Sequence, residues 1–450
     1  MGKTKIVLVG AGSTSFGVNT LADLFSQREH FRGSTIALCD LNAPKLARIA
    51  RLADRLNEAT DADFKIESAT DYRLVLADAE FVIVSVEVDR LERWKLDWQI
   101  PLKYGIKHVL GENGGPGGLA HALRTISLVL GIARDVERLA PNAYLLNYTN
   151  PLTRVCLALT RYTNVKTIGI CHQLNRGYAI VGHILGLAPI LGEFDSSAKL
   201  AEVMRTKFDL KAAGLNHITW IQDMRECASG RNLYPEFTAR LRQFDPSYEP
   251  LSRRLYDAFG LYPATGDGHA GEYFSYAYET SDLAGYDFEG RANESADLDA
   301  SVERANHSQQ ALDEFLNFHS GERGVDVIAA ILNNLNAYEQ TVNVVNNGAL
   351  PGLPDWAIVE VPASISASGV TPLRMPALPP AITAMLNQQV AIQDRVVEAA
   401  AHGDRQAALQ ALLLDPLITS HEVAEQMLDE FLHVHAAYLP EFATREKELA

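Results

Sequence analysis

At 450 residues the chain is long enough for two or three domains, and its content of 47% hydrophobic and 21% charged residues excludes a disordered or fibrous protein. A net charge of −16 argues against a nucleic-acid surface, which needs a basic patch. No apolar run reaches the ~18–20 residues that span a bilayer, so no membrane partner is expected.

The first apolar run, 5–10, follows Lys3 and begins at Lys5. It leads straight into a glycine loop and reads as a first β-strand, not a secretory signal. Further strands are expected over 35–40, 79–86, 143–149 and 166–171. Between them, 42–57 (capped by Asn42, with an early Pro44) and 119–139 carry apolar residues at helical spacing. This alternation predicts an α/β fold whose N-terminal Rossmann domain, residues 1–195, is a doubly wound parallel sheet. The pattern then changes. Asp195-Ser-Ser-Ala-Lys opens a helix, and 213–224 reads as one strand with polar insertions. Long helices are expected over 303–319 and 321–338, a Pro-rich segment over 351–380, and closing helices over 381–402, 404–414 and 419–437. Residues 196–450 are therefore expected to form a mixed α/β, helix-rich substrate domain. The four cysteines, Cys39, Cys156, Cys171 and Cys227, have no disulfide or zinc-knuckle spacing, and a cytoplasmic setting is expected.

The first strand runs into Gly10-Ala-Gly12-Ser13-Thr-Ser15-Phe-Gly17. Two leading glycines allow a tight turn and a close approach of backbone to a pyrophosphate, which the N-terminus of the next helix would face. Ser15 occupies the third fingerprint position, so the motif is incomplete. Asp40 ends the second strand, where a carboxylate holds ribose hydroxyls and disfavours a 2′-phosphate; NAD is expected, with Asp40 as a mere helix cap as the competing reading. Polar clusters follow at the ends of later strands, where open α/β sheets bind ligands. They are Gly111-Glu112-Asn-Gly-Gly-Pro-Gly-Gly118 with His121 and Arg124, Asn147-Tyr-Thr-Asn150-Pro151, Cys171-His172-Gln173, and Gly214-Leu-Asn216-His217. A thiolate and an imidazole are good ligands for divalent transition ions. Cys171 and His217 stand 46 residues apart, however, and each taken alone reads equally as a structural residue.

Together with Lys5-Ile-Val-Leu-Val-Gly-Ala-Gly-Ser13 and Asn346-Asn-Gly348…Leu353-Pro-Asp-Trp-Ala-Ile-Val-Glu360-Val-Pro362, these motifs make the chain resemble glycoside hydrolase family 4 over most of its length. That family comprises NAD- and metal-dependent glycosidases of the lactate/malate dehydrogenase-like superfamily. The resemblance implies Cys171 and His217 as ligands of a divalent metal, usually Mn2+, and Asn150 as a contact to sugar hydroxyls. Gly10, Gly12, Ser13, Asp40 and Asn147 are expected at the cofactor. His172 lies where relatives acting on 6-phosphorylated sugars carry Asp or Asn, which implies a non-phosphorylated α-glycoside: a glucoside, galactoside or uronide.

The implied chemistry is oxidation of the sugar at C3, elimination, addition of water and re-reduction, an exception to the paired-carboxylate rule. Asp267, in Gly266-Asp-Gly-His269, is the expected base or else a turn residue, with Tyr262 or Tyr273 in reserve. Glu112 is expected as an acid or hydroxyl contact and His172 as a further catalytic group. Arg124 and His269 are expected at the substrate, Arg124 alternatively as the partner of a carboxylate; a uronate would want a cation, and Arg124, His121 or His269 could serve. Self-association as a homodimer or homotetramer is expected by analogy. Two alternatives stay open: an NAD-dependent 2-hydroxy-acid dehydrogenase of the lactate/malate type, and a non-catalytic NAD-binding sensor.

Overall fold

The computed structural model describes residues 2–13, 16–188, 197–280, 286–317 and 320–449. Its first half contains β1 (Lys5–Val9), β2 (Thr35–Cys39), β3 (Lys65–Ala69), β4 (Phe81–Val84), β5 (Tyr144–Asn147) and β6 (Lys166–Gly169). These pair in parallel in the order β3-β2-β1-β4-β5-β6. Side chains alternate across a strand, and here both faces are apolar. Val7, Val9, Val82 and Val84 join one core, with the helix Gly115–Leu139. Ile6, Leu8, Phe81 and Ile83 join the other, with the helix Gly17–Ser26. The sheet is therefore doubly wound, as the alternating sequence predicts.

The second half adds β7 (Phe208–Leu215), β8 (Ile218–Glu226), β9 (Tyr262–Pro263), β10 (Ala337–Val345), β11 (Ile358–Ser366) and β12 (Gly369–Pro372). These strands are antiparallel and extend the same sheet as β6-β10-β11-β7-β8-β9, with β12 on β11. Several expectations change here. The single strand expected over 213–224 is two, β7 and β8, joined by the turn Asn216-His217. The helix expected over 321–338 runs only from Gly324 to Asn333, because Asn334 and Asn336 take left-handed conformations that end it and release β10. The helix expected over 303–319 is also broken. Phe288–His307 stops before Ser308, whose hydroxyl accepts the amide of Ala311 and opens Gln309–Leu316. The Pro-rich segment carries β11 and β12. The closing helices Pro380–His402, Arg405–Leu414 and His421–Val434 pack onto the first core, beside Val7 and Leu145. The division expected at 195/196 falls among residues 189–196, outside the described residues.

Helix Gly115–Leu139 is long and apolar enough to cross a membrane by composition alone, but 83% of its most apolar window is buried inside the protein. A buried ion cluster ties it down. Arg124 gives a two-pronged pair to Asp97 (2.8 and 2.6 Å), and His435 bonds the same carboxylate at 2.8 Å. Arg124 and Asp97 together burial would otherwise make costly; here burial pushes the Asp97 carboxyl up, and Arg124 and His435 more than reverse the effect, holding it below the ordinary value. Arg124 is thus placed as the partner of a carboxylate, Asp97, the second of the two readings its sequence position left open. Removing one member leaves a buried charge uncompensated, so Asp97→Ala should lower unfolding free energy by about 3–5 kcal/mol in urea titrations, while Asp97→Leu combined with Arg124→Met should recover much of the loss.

Candidate active site

The site forms at the seam between the two halves of the sheet. Gly169 of β6 pairs with Asn343 of β10, Asn343 with Glu360 of β11, and Glu360 with Gly214 of β7. One lateral row thus crosses four strands. At Gly169 a side chain would stand 2.7 Å from both Asn343 Cβ and Cys156 Sγ, so the row closes only around a glycine. The buried Glu360 carboxylate stitches it by accepting from Asn216 Nδ2 (2.6 Å), Asn343 Nδ2 (3.2 Å) and Thr219 Oγ1 (3.3 Å). Cys171 lies two residues past Gly169. His217 lies three past Gly214, in a left-handed turn (φ +65°) where its N–H donates to Gln173 Oε1 at 3.0 Å.

The row brings Cys171 Sγ to 3.6 Å from His217 Nε2. With bonds of about 2.3 Å to sulfur and 2.05 Å to nitrogen at a tetrahedral angle, as at zinc, the two donor atoms would stand about 3.6 Å apart, so the pair is spaced as two ligands of one divalent ion. Burial pushes the Cys171 thiol well up, with Glu360 and Glu322 adding to it. Burial, then His269 and His172, push His217 well down, which keeps its imidazole neutral and able to ligate. His269 lies against His217, ring centroids 4.0 Å apart, and potential ligand atoms of His217, His269 and Glu272 all lie within 4.8 Å of one another.

Glu272 connects this centre to the glycine-rich loop. It is 1% exposed, and one of its oxygens accepts the backbone N–H groups of Glu112 (2.9 Å), Asn113 (2.7 Å) and Gly114 (3.1 Å). Burial pushes its carboxyl up, but His269 and these donors more than compensate, leaving it ionised. At Gly114 a Cβ would stand 2.7 Å from Glu272 O, so the approach needs a glycine. The loop is thereby placed so that Glu112 accepts from Arg90 (2.8 Å) and meets Asn150 Nδ2 at 3.4 Å. His121 is taken up between Glu112 O (2.8 Å) and Glu87 (3.2 Å).

The dinucleotide loop has the shape a cofactor needs. Gly10 takes φ +90°, and a Cβ at Gly12 would strike Asp40 Oδ2 at 2.6 Å. Asp40 accepts the N–H groups of Gly12 and Asn42, both at 2.8 Å, while the helix cap is the Asn42 side chain, which accepts from Lys45 N at 3.0 Å. Asp40 therefore holds the glycine turn and is not a helix cap; each oxygen keeps acceptor capacity for a ribose hydroxyl. Ser13 Oγ meets Ser85 Oγ at 3.2 Å at the mouth of β4. Ser15 lies outside the described residues. Asn147 differs from expectation. It is fully buried and bonded to the backbone of Thr149 through both ends of its amide, and so shapes the end of β5.

Asp267 is also placed differently. Its carboxylate accepts the N–H groups of Leu251 (2.8 Å) and Ser252 (2.7 Å) and the Ser252 hydroxyl (2.7 Å), capping the helix Pro250–Phe259. It does not stand free as a base. Of the reserve tyrosines, Tyr262 sits in an aromatic cluster with Phe237 and Tyr256. Tyr273 lies at the site, its hydroxyl 3.5 Å from the carbonyl of Asn216. His172 is half-exposed and bonds Glu322 through Nδ1. Sequence reasoning missed Glu272, Glu322 and Glu360 as organisers. Only Glu272 had a local signal, its i,i+3 spacing from His269.

The sequence profile of the family 4 glycosyl hydrolases matches residues 5–186, and that of the family's C-terminal domain matches 212–418. An α-glucosidase of Erwinia rhapontici is 34% identical, over 95% of this chain and 96% of its own length. An α-galactosidase of Bacillus subtilis is 29% identical, over 97% and 99%. Among solved structures, a 6-phospho-α-glucosidase from gut microorganisms, in complex with NAD and Mn2+, superposes with a TM-score of 0.81 at 22% identity, covering 98% of this chain and 100% of that one. That likeness speaks for the fold.

Two results are expected from this geometry. Cys171→Ser and His217→Ala should each weaken Mn2+ binding at least tenfold by calorimetry while far-ultraviolet circular dichroism stays unchanged. Asp267→Ala should lower stability by about 1–2 kcal/mol in chemical denaturation, the usual cost of a lost cap, and Asp267→Asn by less, since an amide oxygen still accepts.

Proposed function

The chain belongs to family 4 of the glycosyl hydrolases, and on that premise we propose that it hydrolyses a non-phosphorylated α-glycoside with bound NAD and a divalent metal such as Mn2+. The observation that carries this reading is the 3.6 Å approach of Cys171 and His217 at the end of a Rossmann sheet. A plain 2-hydroxy-acid dehydrogenase has no use for a thiolate–imidazole pair. Bound at the glycine turn, NAD would supply a hydride acceptor and donor for the sugar, and a divalent ion held by Cys171 and His217 would supply Lewis-acid chemistry.

The chain's own residues then have distinct tasks. Gly10, Gly12, Ser13 and Asp40 cradle the dinucleotide, and Cys171 with His217 hold the metal. Asn150 and Glu112, already in contact, present an amide and a carboxylate to sugar hydroxyls. His172 and Glu112 are the acid–base groups of this reading, since the Asp267 carboxylate is taken up by the start of the helix Pro250–Phe259. His269 stands beside the metal ligands, where it can touch substrate. The names of two relatives, an α-glucosidase and an α-galactosidase, support an unmodified sugar and the α anomer, against a 30% identical relative named as a probable 6-phospho-β-glucosidase.

A panel of nitrophenyl α- and β-glycosides, with and without the 6-phosphate, tests the reading when NAD, Mn2+ and reductant are omitted in turn. Nitrophenol release from an unphosphorylated α-glycoside should require NAD and Mn2+ and leave no net NADH. Net NADH accumulation on 2-hydroxy acids would point to the dehydrogenase instead, and NAD binding without any turnover to a sensor.

A further inference from the structure

Beside Cys171 and His172 opens a cavity lined also by Asn175, Arg205, Arg323 and Gln340. Its two arginines differ. Arg323 is neutralised by Asp326 (2.7 Å) and Glu339 (2.8 Å). Arg205 has neutral partners only: Nε donates to Gln340 Oε1 (2.6 Å), Nη2 to Asn175 Oδ1 (2.5 Å), and the guanidinium lies over the Tyr178 ring at 5.3 Å. Among the described residues, no carboxylate lies within 4 Å of it. Burial, and after it Arg323, push its pKa down. Glu339 and Asp326 act the other way but are paired with Arg323, so this half-buried guanidinium, held by two neutral amides and with no ion-pair partner of its own among the described residues, is a charge that a ligand anion would stabilise.

The other cations that a uronate could have used are engaged: Arg124 by Asp97, His121 by Glu87, and His269 by Glu272. We infer that Arg205 is the specificity-determining residue for a sugar carboxylate, so that the favoured substrate is an α-glycoside of a hexuronic acid. This rests on the glycosidase reading above and adds the substrate class. Gln340 holds Nε, Asn175 holds Nη2 and Tyr178 backs the guanidinium, so Nη1 is the nitrogen assigned to the carboxylate. A carboxylate would match this charge, whereas a neutral hydroxymethyl group would leave it unmatched.

The test compares kcat/KM for nitrophenyl α-galacturonide, α-glucuronide, α-galactoside, α-glucoside and the 6-phospho-α-glucoside, with NAD and Mn2+ present. One uronide should exceed its neutral counterpart at least tenfold. Arg205→Met should shrink that ratio by about 10- to 100-fold, as expected for losing a hydrogen bond to a charged group, and Arg205→Lys should retain part of it. Melting temperatures identify a variant that fails to fold, in which case the wild-type preference and Arg205→Lys decide. Preference for a neutral or 6-phosphorylated sugar, or an equal effect of Arg205→Met on uronide and hexoside, overturns the inference while leaving the glycosidase reading intact. Cleavage of no glycoside at all overturns both.

Discussion

The row Gly169–Asn343–Glu360–Gly214 is the constraint on which the site depends. A parallel sheet ends at its last strand with unpaired backbone groups, and such an edge must be covered or extended. Here β10 and β11 extend it, and β7 follows, so that residues far apart in sequence are brought to fixed positions by strand pairing. Cys171 and His217 sit just beyond the two outer strands of that row. Their separation is therefore set by strand spacing and by one turn, and not by a flexible loop. The carboxylate of Glu360, fully buried and bonded by three side chains, makes the register costly to change, since slipping it would leave a buried acid without donors.

Around this seam, carboxylates that could have been read as chemical groups act as architecture. Glu272 gathers three successive amides and so carries the glycine-rich loop toward Asn150. Glu322 orients His172, and Asp97 neutralises Arg124. Each burial of an acid is repaid by amides or a cation at short range, the condition under which burial of charge is tolerated. Arg205, beside Cys171 and His172, is the exception: its side-chain partners are the neutral amides of Gln340 and Asn175.

Much of the fold was legible because its signals are local. Strand-sized apolar runs alternating with helical periodicity gave β1, β2, β4, β5 and β6 within a few residues, and the glycine turn with Asp40 lies where it was expected. β3 was not legible: Lys65-Ile-Glu-Ser-Ala69 is short and polar, and it becomes a strand only because β2 offers it an edge. The hairpin of β7 and β8 was read as one strand since Asn216-His217 is a turn without glycine at its tip. The strands within the Pro-rich segment were hidden because pairing with β7 and β10, not composition, holds them extended.

The sequence by itself determined the α/β class, the dinucleotide loop and, through its motifs, the family; these depend on periodicity and on residue types a short stretch can display. Tertiary structure alone decided which polar residues are already engaged by protein partners. Asp267, Arg124 and Asn147 carry functional groups that catalysis or binding could use, yet a helix end, an acid and a strand end occupy them. Whether a carboxylate, guanidinium or amide is available for chemistry depends on which partners the fold brings within about 3 Å, and those partners come from distant parts of the chain.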